Sequence, residues 1–567
     1  MYVLALATDY DGTLAKEGRV SDEALAALER LAETGRKLLL VTGRELPDLE
    51  KVFPRLDIFD RIVAENGALL YTPGSHTERE LAPRPSVELV RALEARGVSP
   101  LSVGRSVIAT WEPHEAAALE EIKRLGLELE IVFNKGAVMI LPSGVNKAFG
   151  LAAALEELEL SVHNVVGVGD AENDHAFLRA VGYGVAVENA LPQVKKTADL
   201  VTRGARGDGV IELVDRLIEE DARLFTGERH QVTVGAPAGG DPVHLSPYGK
   251  GVLIAGTSGI GKSTLATLLM ERFVDQGFQF CVIDPEGDYE ELDNVVTVGD
   301  AKTAPSTQQI LDVLAKPTNN VVVNMLGLKI DERPNYFAKL LPEIASLRAR
   351  TGRPHWLIID EAHHLLPTAR DGASLAVPQS LTATILITVH PDLVSPDVLA
   401  DVETVIALGP EADKVIATFA KVVSVAEPGE NRAPEDDKVL FWNRGQQDAV
   451  TTIAVERPLQ ARKRHRRKYA EGDLGDHSFL FTGPEGKLKL RAQNLMIFVQ
   501  LAEGVDDASW EHHLRAGDYS AWFRDKVKDP ELAEEAAAVE EDESLEASLS
   551  REAIIGAVLR RYTVPAD

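Results

Sequence analysis

The chain has 567 residues, too many for one hydrophobic core, so several domains are expected. Hydrophobic residues make up 45% and charged residues 26%, the balance of a globular protein, and no apolar run is long enough to cross a bilayer. A net charge of -29 excludes nonspecific coating of nucleic acid, so any DNA or RNA contact must be local, in a patch or a pore.

The start, MYVLALATDYDG, has no basic region before its apolar run and reads as a buried strand, not a signal peptide. Residues 1 to 225 then alternate β-rich runs (VLALATD, KLLLVTG, RIVAE, NVVGVGD, YGVAV) with amphipathic helices such as SDEALAALERLAETG, where Ser21 is the expected N-cap. This rhythm predicts a parallel sheet covered on both faces. Between about residues 84 and 141 it breaks into helix, strand, helix and the hairpin-like pair LELEIVF and GAVMILP, a small α+β insertion. GAPAGGD, residues 235 to 241, reads as a linker or loop. A second α/β block runs from 226 to 455, with strands GVLIAG, FCVID, NVVVNML, HWLIID and ATILITV. Its Cys281 is the single cysteine, so a disulfide framework within the chain is excluded and the cytoplasm is the expected compartment. From 456 to 567 come a basic linker, a β-like piece and helices. The run RKRHRRK, residues 462 to 468, suits a solvated linker and a nucleic-acid contact equally. The acidic stretch from Glu531 to Glu546 is expected to be a solvated helix and loop.

Four pieces of the first block carry chemistry. Asp9 and Asp11 follow the first strand, and paired carboxylates at a buried strand end are costly unless they bind metal or a reacting group. Gly12 lets the chain turn sharply after them. Thr42 ends the strand LLLVTGR with a hydroxyl suited to phosphate, Lys147 opens a helix after the insertion, and Asp170 and Asp174 lie in a second acidic cluster at a strand end. All four sit where an open α/β fold places its site. In this order they resemble the haloacid-dehalogenase phosphatase superfamily, in the branch of sucrose-phosphatase and the Cof-type sugar phosphatases, which ENGA (Glu65 to Ala68) and GVAVENA (Gly184 to Ala190) also match. The resemblance implies a Rossmann-like domain with a small cap. It implies Asp9 as the nucleophile that forms an aspartyl-phosphate, Asp11 as the acid and base, and Thr42 and Lys147 on the phosphoryl oxygens. Asp170, with Asp9 and a backbone carbonyl, would hold magnesium, Asp174 would support that site, and Asp11 counts in the same metal set. Such a cap favours a small phosphorylated molecule over a polymer.

In the second block Gly256, Thr257, Ser258, Gly259, Ile260, Gly261, Lys262 and Ser263, followed by Thr264, fit a P-loop between a strand and a helix. Backbone N–H groups there cradle the phosphates of ATP, Lys262 reaches the β- and γ-phosphates, and Ser263 binds magnesium. Asp360 ends a buried strand and suits a second magnesium-supporting acid, and the adjacent Glu361 suits a base that polarises water. With DPEGDY from Asp284 and TVHP from Thr388, the order resembles the HerA/FtsK-type motor ATPases, of RecA-like fold. Their usual Gln at the sensor position is His390 here. The resemblance implies a hexameric ring with DNA in its pore and an arginine finger given in trans, for which Arg348, Arg350, Arg353, Arg432 and Arg444 are candidates. The segment from His513 to Phe523 opens a mainly helical C-terminal domain without evident chemistry. The leading expectation is a phosphatase and motor ATPase fusion acting on nucleic acid, in DNA processing or defence. The alternatives are a sugar-phosphate phosphatase with a regulatory or assembly ATPase, and a polynucleotide kinase-phosphatase.

Overall fold

The computed structural model describes residues 2–224, 229–289, 292–368, 381–429, 438–445, 449–459 and 478–562, apart from 485, 487, 528 and 543. The basic run 462–468 and Arg432 lie outside the described residues. Among those described, no helix is long and apolar enough to cross a membrane.

The first block folds into an eight-stranded sheet. Its order is Leu200–Val201, Tyr183–Ala186, Val165–Gly169, Ala5–Thr8, Lys37–Val41, Arg61–Ala64, Leu69–Thr72, Thr77–Glu80. The first six strands are parallel and the last two antiparallel. Helices seal it through short aliphatic faces. Leu28 and Leu31 of Asp22–Glu33 meet Leu213 and Leu217 of Gly207–Glu220 in the same core as the strands. Ser21 caps the first of these helices, accepting the Ala24 N–H at 3.1 Å. The order reverses at Ala5–Thr8, which places the switch point of the sheet between the strands that end in Asp9, Thr42 and Asp170.

The insertion forms a four-stranded antiparallel sheet, ordered Ser102–Val103, Ile108–Trp111, Ala137–Pro142, Leu129–Asn134. One face buries Ile108 and Ile140 against Leu89, Leu93 and Ile122 of the helices Val87–Ala95 and Glu115–Leu125. On the other, Val107, Met139 and Leu141 pack with Ala68 and Ala82.

GAPAGGD lies inside a β-hairpin, at the turn between Val232–Gly235 and Val243–Leu245. The second block is a nine-stranded sheet. Its order is Val295–Val298, Asn320–Asn324, Phe280–Asp284, Trp356–Ile359, Thr384–Thr388, Gly251–Gly256, Val402–Leu408, Lys438–Asn443, Thr451–Ala454; the first seven pair in parallel, and the last two are added by antiparallel pairings. The parallel strands read as continuous apolar runs because both faces are covered.

The C-terminal part pairs Phe479–Phe481 with Leu490–Ala492 and packs helices around an aromatic core in which Trp510 and Tyr519 stack at 4.4 Å. Its acidic helix, Pro530–Glu541, is not solvated all round: Leu532, Ala533 and Ala536 are buried in that core.

The two α/β blocks meet at the N-terminal ends of their strands, away from the motif-bearing ends. His163 and Asn164 precede Val165–Gly169, and His355 precedes Trp356–Ile359. His163 Nε2 pairs with the Gln276 carbonyl at 2.7 Å, and its ring stacks on Phe278 at 4.0 Å. His355 Nδ1 accepts the Gln279 N–H at 2.9 Å, which leaves Nε2 as the donor to Asn164 Oδ1 at 3.2 Å. Burial pushes the His163 imidazole down to about 4 and His355 well below its ordinary value, so both rings are neutral. Gly352 sits so close that a Cβ there would meet Asn164 Nδ2 at 2.2 Å.

Candidate active sites

Three neighbouring strands deliver Asp9, Thr42 and Asp170 to one edge, and the helix Lys147–Glu157 delivers Lys147 by its first residue. Asn146 caps that helix, accepting the N–H groups of Ala148 and Phe149 at 3.0 and 3.1 Å. The Lys147 ammonium is buried and donates to Asp9 Oδ1 at 2.6 Å and Asp174 Oδ1 at 2.5 Å. Asp174 Oδ2 accepts the N–H groups of Asp170 and Ala171 at 2.7 and 2.9 Å. Both Asp174 oxygens are thereby engaged, in holding the loop and the lysine. The loop fits this tightly only because residue 169 is glycine, where a Cβ would come within 2.7 Å of the Asp174 carboxyl.

Burial pushes Asp9 up to about 8, with Lys147 opposing and the Asp174 and Asp170 charges adding. Burial pulls Lys147 down, but Asp174 and Asp9 more than offset it and hold the amine above the usual lysine range. Asp9, Asp170 and Asp174 offer oxygens within 4.8 Å of one another. Asp170 Oδ1 is buried with no partner among the described residues. An all-oxygen set with an orphaned buried carboxylate oxygen fits a magnesium ion. The Asp11 carboxylate lies outside this trio, in a bidentate pair with Arg44 at 2.6 and 2.8 Å. Thr42 is fully buried and its hydroxyl accepts the Arg44 N–H at 3.1 Å.

Several residues that build this site have no role legible in the sequence alone. Arg44 stands in the TGR triplet. Glu65, of ENGA, accepts the N–H groups of Arg105, Ser106 and Val107 at 2.9, 2.8 and 3.3 Å and so ties the insertion down over the site. Asn189, of GVAVENA, donates to the Gly12 carbonyl at 2.8 Å and to Asp170 Oδ2 at 3.2 Å. Lys135, at the tip of the insertion hairpin, ion-pairs with Asp170. The first three were visible as motif letters; Lys135 had no signal.

In the second block the P-loop joins Gly251–Gly256 to the helix Lys262–Asp275, with Gly259 at φ 76° and Gly261 at φ 106°. Lys262 is buried and donates to the Thr257 carbonyl at 3.1 Å, and Ser263 is buried beside it. The strand Thr384–Thr388 lies between the P-loop strand and Trp356–Ile359, so Thr388 and His390 stand between the P-loop and the Asp360–Glu361 pair. Glu361 is in left-handed backbone, φ 44° and ψ 49°, with its N–H on Asp360 Oδ1 at 2.9 Å. His363 Nδ1 lies 3.0 Å from Thr388 Oγ1 and 3.3 Å from Glu361 Oε2. The Thr388 hydroxyl also accepts the His390 N–H at 3.0 Å. Burial, then Asp288 and Asp360, pushes Asp284 up to about 8.

Of the candidate fingers, Arg348 donates to the carbonyls of Pro354 and His355 at 2.9 and 2.6 Å, and Arg353 to those of Glu159 and Ala315 at 2.9 and 3.0 Å. Both are consumed within their own chain at the far ends of the strands, which withdraws them as groups to offer in trans. Arg444 lies over the Phe419 ring at 5.6 Å, and Arg350 is exposed.

Residues 6–107 and 108–214 match the model of the haloacid dehalogenase-like hydrolases, and residues 243–366 that of the central domain of helicase HerA. The phosphoglycolate phosphatase of Methanothermobacter thermautotrophicus is 32% identical over 221 residues, which is 38% of this chain and 98% of that protein. Phosphoglycolate phosphatase 2 of Saccharolobus solfataricus is 30% identical over 220 residues, 38% of this chain and 92% of that protein. A solved haloacid dehalogenase-like hydrolase from Bacteroides thetaiotaomicron is similar at 21% identity with a TM-score of 0.34, covering 38% of this chain and 98% of its own.

Proposed function

Because the chain belongs to the haloacid dehalogenase-like hydrolase family through its N-terminal block, we propose that it joins a magnesium-dependent phosphatase for small phosphorylated metabolites to a ring-forming ATP motor. The chain is a phosphomonoester hydrolase acting through an aspartyl-phosphate, with a HerA-type ATPase domain behind it. In this reading Asp9 attacks phosphorus. Asp11 protonates the departing oxygen and then takes a proton from the water that cleaves the aspartyl-phosphate. Thr42 and Lys147 hold the phosphoryl oxygens, and Lys147 favours the ionised form of Asp9 in opposition to burial, which remains the larger effect. Asp9, Asp170 and a backbone carbonyl would hold magnesium, which when bound supplies positive charge against the phosphate. Asp174 supports the site through Lys147 and the loop.

The closed insertion carries the substrate class. Glu65 grips three successive N–H groups of the insertion, and Met139 reaches over the Thr42 loop, where a Cβ on Gly43 would lie 2.9 Å from its methyl. That supports a small phosphomonoester over a polymer end, and so disfavours the polynucleotide kinase-phosphatase. The named relatives are phosphoglycolate phosphatases, and a compound of that size suits this cover. Turnover of 2-phosphoglycolate, hexose phosphates and 3′-phosphorylated DNA by the full chain tests the reading. The first two classes should compete, and preferential turnover of DNA ends would overturn it.

In the second block, residues Gly256 to Thr264 would hold ATP, Ser263 and Asp360 its magnesium, and Glu361 the attacking water, with Thr388 and His390 beside the γ-phosphate. The HerA match supports a hexameric ring with DNA in its pore. ATP hydrolysis measured at low salt with and without duplex DNA tests this. A chain that sediments as a monomer and is unmoved by DNA would leave the sugar-phosphate phosphatase with a regulatory ATPase.

A further inference from the structure

Lys135 occupies a place where its backbone is unfavourable. It has φ 47° and Gly136 has φ 89°, two consecutive left-handed residues that form the tight turn between Leu129–Asn134 and Ala137–Pro142. Asparagine or glycine fills the first position of such a turn with little strain, and lysine does not. A strained side chain at a site points to a task for that side chain.

The turn is held on both sides. The Lys135 N–H donates to Glu172 Oε2 at 3.4 Å, and the Gly136 carbonyl accepts the Glu112 N–H at 3.0 Å. The ammonium lies over the loop of the nucleophile: a Cβ on Gly12 would be 2.8 Å from Lys135 Nζ. It pairs with Asp170 Oδ2, the oxygen that also accepts from Asn189, and not with the buried Oδ1. Lysine and a metal ion would therefore use different oxygens of Asp170, and neither has to displace the other. The Asp170 carboxylate is fully buried, whereas the Lys135 side chain is 42% exposed. Lys135 is thus the half of the pair that an arriving molecule meets. The other cation at the mouth, Arg44, is already engaged by Asp11 and Asp48.

Resting on the phosphatase reading, we propose that Lys135 is the specificity-determining residue of this site, binding a carboxylate carried by the leaving group. The substrate class is then a short phosphorylated hydroxy acid, with its carboxylate one or two carbons from the ester oxygen. An ammonium on a mobile stem reaches such a group as a point charge. Without it the Asp11 and Asp48 carboxylates would repel a second negative charge on the substrate. A neutral alcohol gains nothing from Lys135.

The test compares 2-phosphoglycolate with glycerol 2-phosphate, whose leaving group is neutral, on the full chain and on Lys135→Ala, Lys135→Gly and Lys135→Arg. The expected result is a rise in KM for 2-phosphoglycolate of about thirtyfold or more in the first two variants, consistent with loss of a charge-assisted contact. kcat/KM for glycerol 2-phosphate should fall by a smaller factor in the same variants, so that the preference for 2-phosphoglycolate over it drops by about tenfold or more. Lys135→Arg should recover part of the discrimination. Lys135→Gly relieves the turn but leaves the buried Asp170 carboxylate without its ammonium, so Tm should fall less in this variant than in Lys135→Ala while the specificity is lost in both. Equal losses on both compounds would overturn the assignment and leave Lys135 a structural residue. Wild-type protein that hydrolyses neither compound would remove the phosphatase reading and this proposal with it.

Discussion

The two sites of this chain treat their charges in opposite ways. At the first, a buried lysine bridges two buried carboxylates, and a third acid carries a lysine from the insertion. At the second, the lysine donates to its own loop, while Asp284 lies in the field of Asp288 and Asp360 with backbone N–H groups opposing them. The first is a site balanced and packed before substrate arrives. The second is held open by backbone geometry, with its acids arranged for a nucleotide and its cation. Preorganised charge suits stabilisation of a transition state on a small substrate. An acid-rich cradle suits a cycle in which the ligand itself completes the site.

The sharpest way to break that contrast is to remove each lysine. Lys147→Ala leaves Asp9 and Asp174 buried without their counter-charge, so phosphatase turnover should vanish and stability should fall by about 3–5 kcal/mol in urea titration. Asp9→Asn should abolish turnover as completely but with a much smaller loss, because it removes the group that burial most disfavours. Equal destabilisation by both would show that the network is not charge-balanced. At the second site, Lys262→Ala should lower the ATPase rate by about a hundredfold to a thousandfold, because the ammonium is the group that would reach the β- and γ-phosphates. A matching loss of phosphatase turnover would mean that the blocks communicate across the His163 and His355 contact.

That contact gives a pH effect of its own. His163 and His355 are neutral in the fold, with His230, Arg348 and Arg353 facing them. In the unfolded chain they take up protons near pH 6.5, but in the fold His163 does so only near pH 4. Between those values the unfolded state binds more protons at these two rings, so their contribution to stability falls as the solution is acidified through that window. The slope is roughly 1.4 kcal/mol per unit for each histidine. Asp9 and Asp284, pushed up to about 8 by burial, respond to acidification in the opposite direction, so the check compares wild type with His163→Phe at pH 7 and pH 5: the wild type should lose more, or gain less, on acidification than the variant. Identical pH responses of the two would contradict a neutral His163.

Legibility in the sequence followed the cost of burial. Asp9 and Asp170 stand out because carboxylates at buried strand ends have no cheap structural explanation, whereas Lys147 and the P-loop are legible by their order and pattern beside predicted strands and helices. The parallel strands were readable as apolar runs, and the insertion as a break in rhythm. Their order was not, since nothing local says that Thr384–Thr388 inserts beside the P-loop strand. Glu65 and Asn189 were visible as letters of motifs, but their partners, the N–H groups of Arg105 to Val107 and the Gly12 carbonyl, are distant in the chain. The block-to-block contact was illegible because a histidine beside an apolar run reads as an ordinary core residue. Arg348 and Arg353 looked like candidate fingers for the same reason in reverse: cationic letters give no sign that backbone carbonyls already surround them.

The smallest effect separates strain from charge at the second site. Glu361 is held at φ 44° immediately after a buried strand, a conformation that costs a residue with a side chain on the order of 1 kcal/mol relative to glycine. Its N–H bonds Asp360, and its carboxylate lies beside His363, which reaches on to Thr388. Glu361→Gly should therefore raise stability by about that amount while ATP hydrolysis is lost, because the carboxylate and not the backbone is the working part. Glu361→Gln keeps the strain and loses the charge, so it should lose hydrolysis without the gain in stability. If the glycine variant is less stable than the glutamine one, the left-handed turn is supported by the side chain, and the second site is as preorganised as the first.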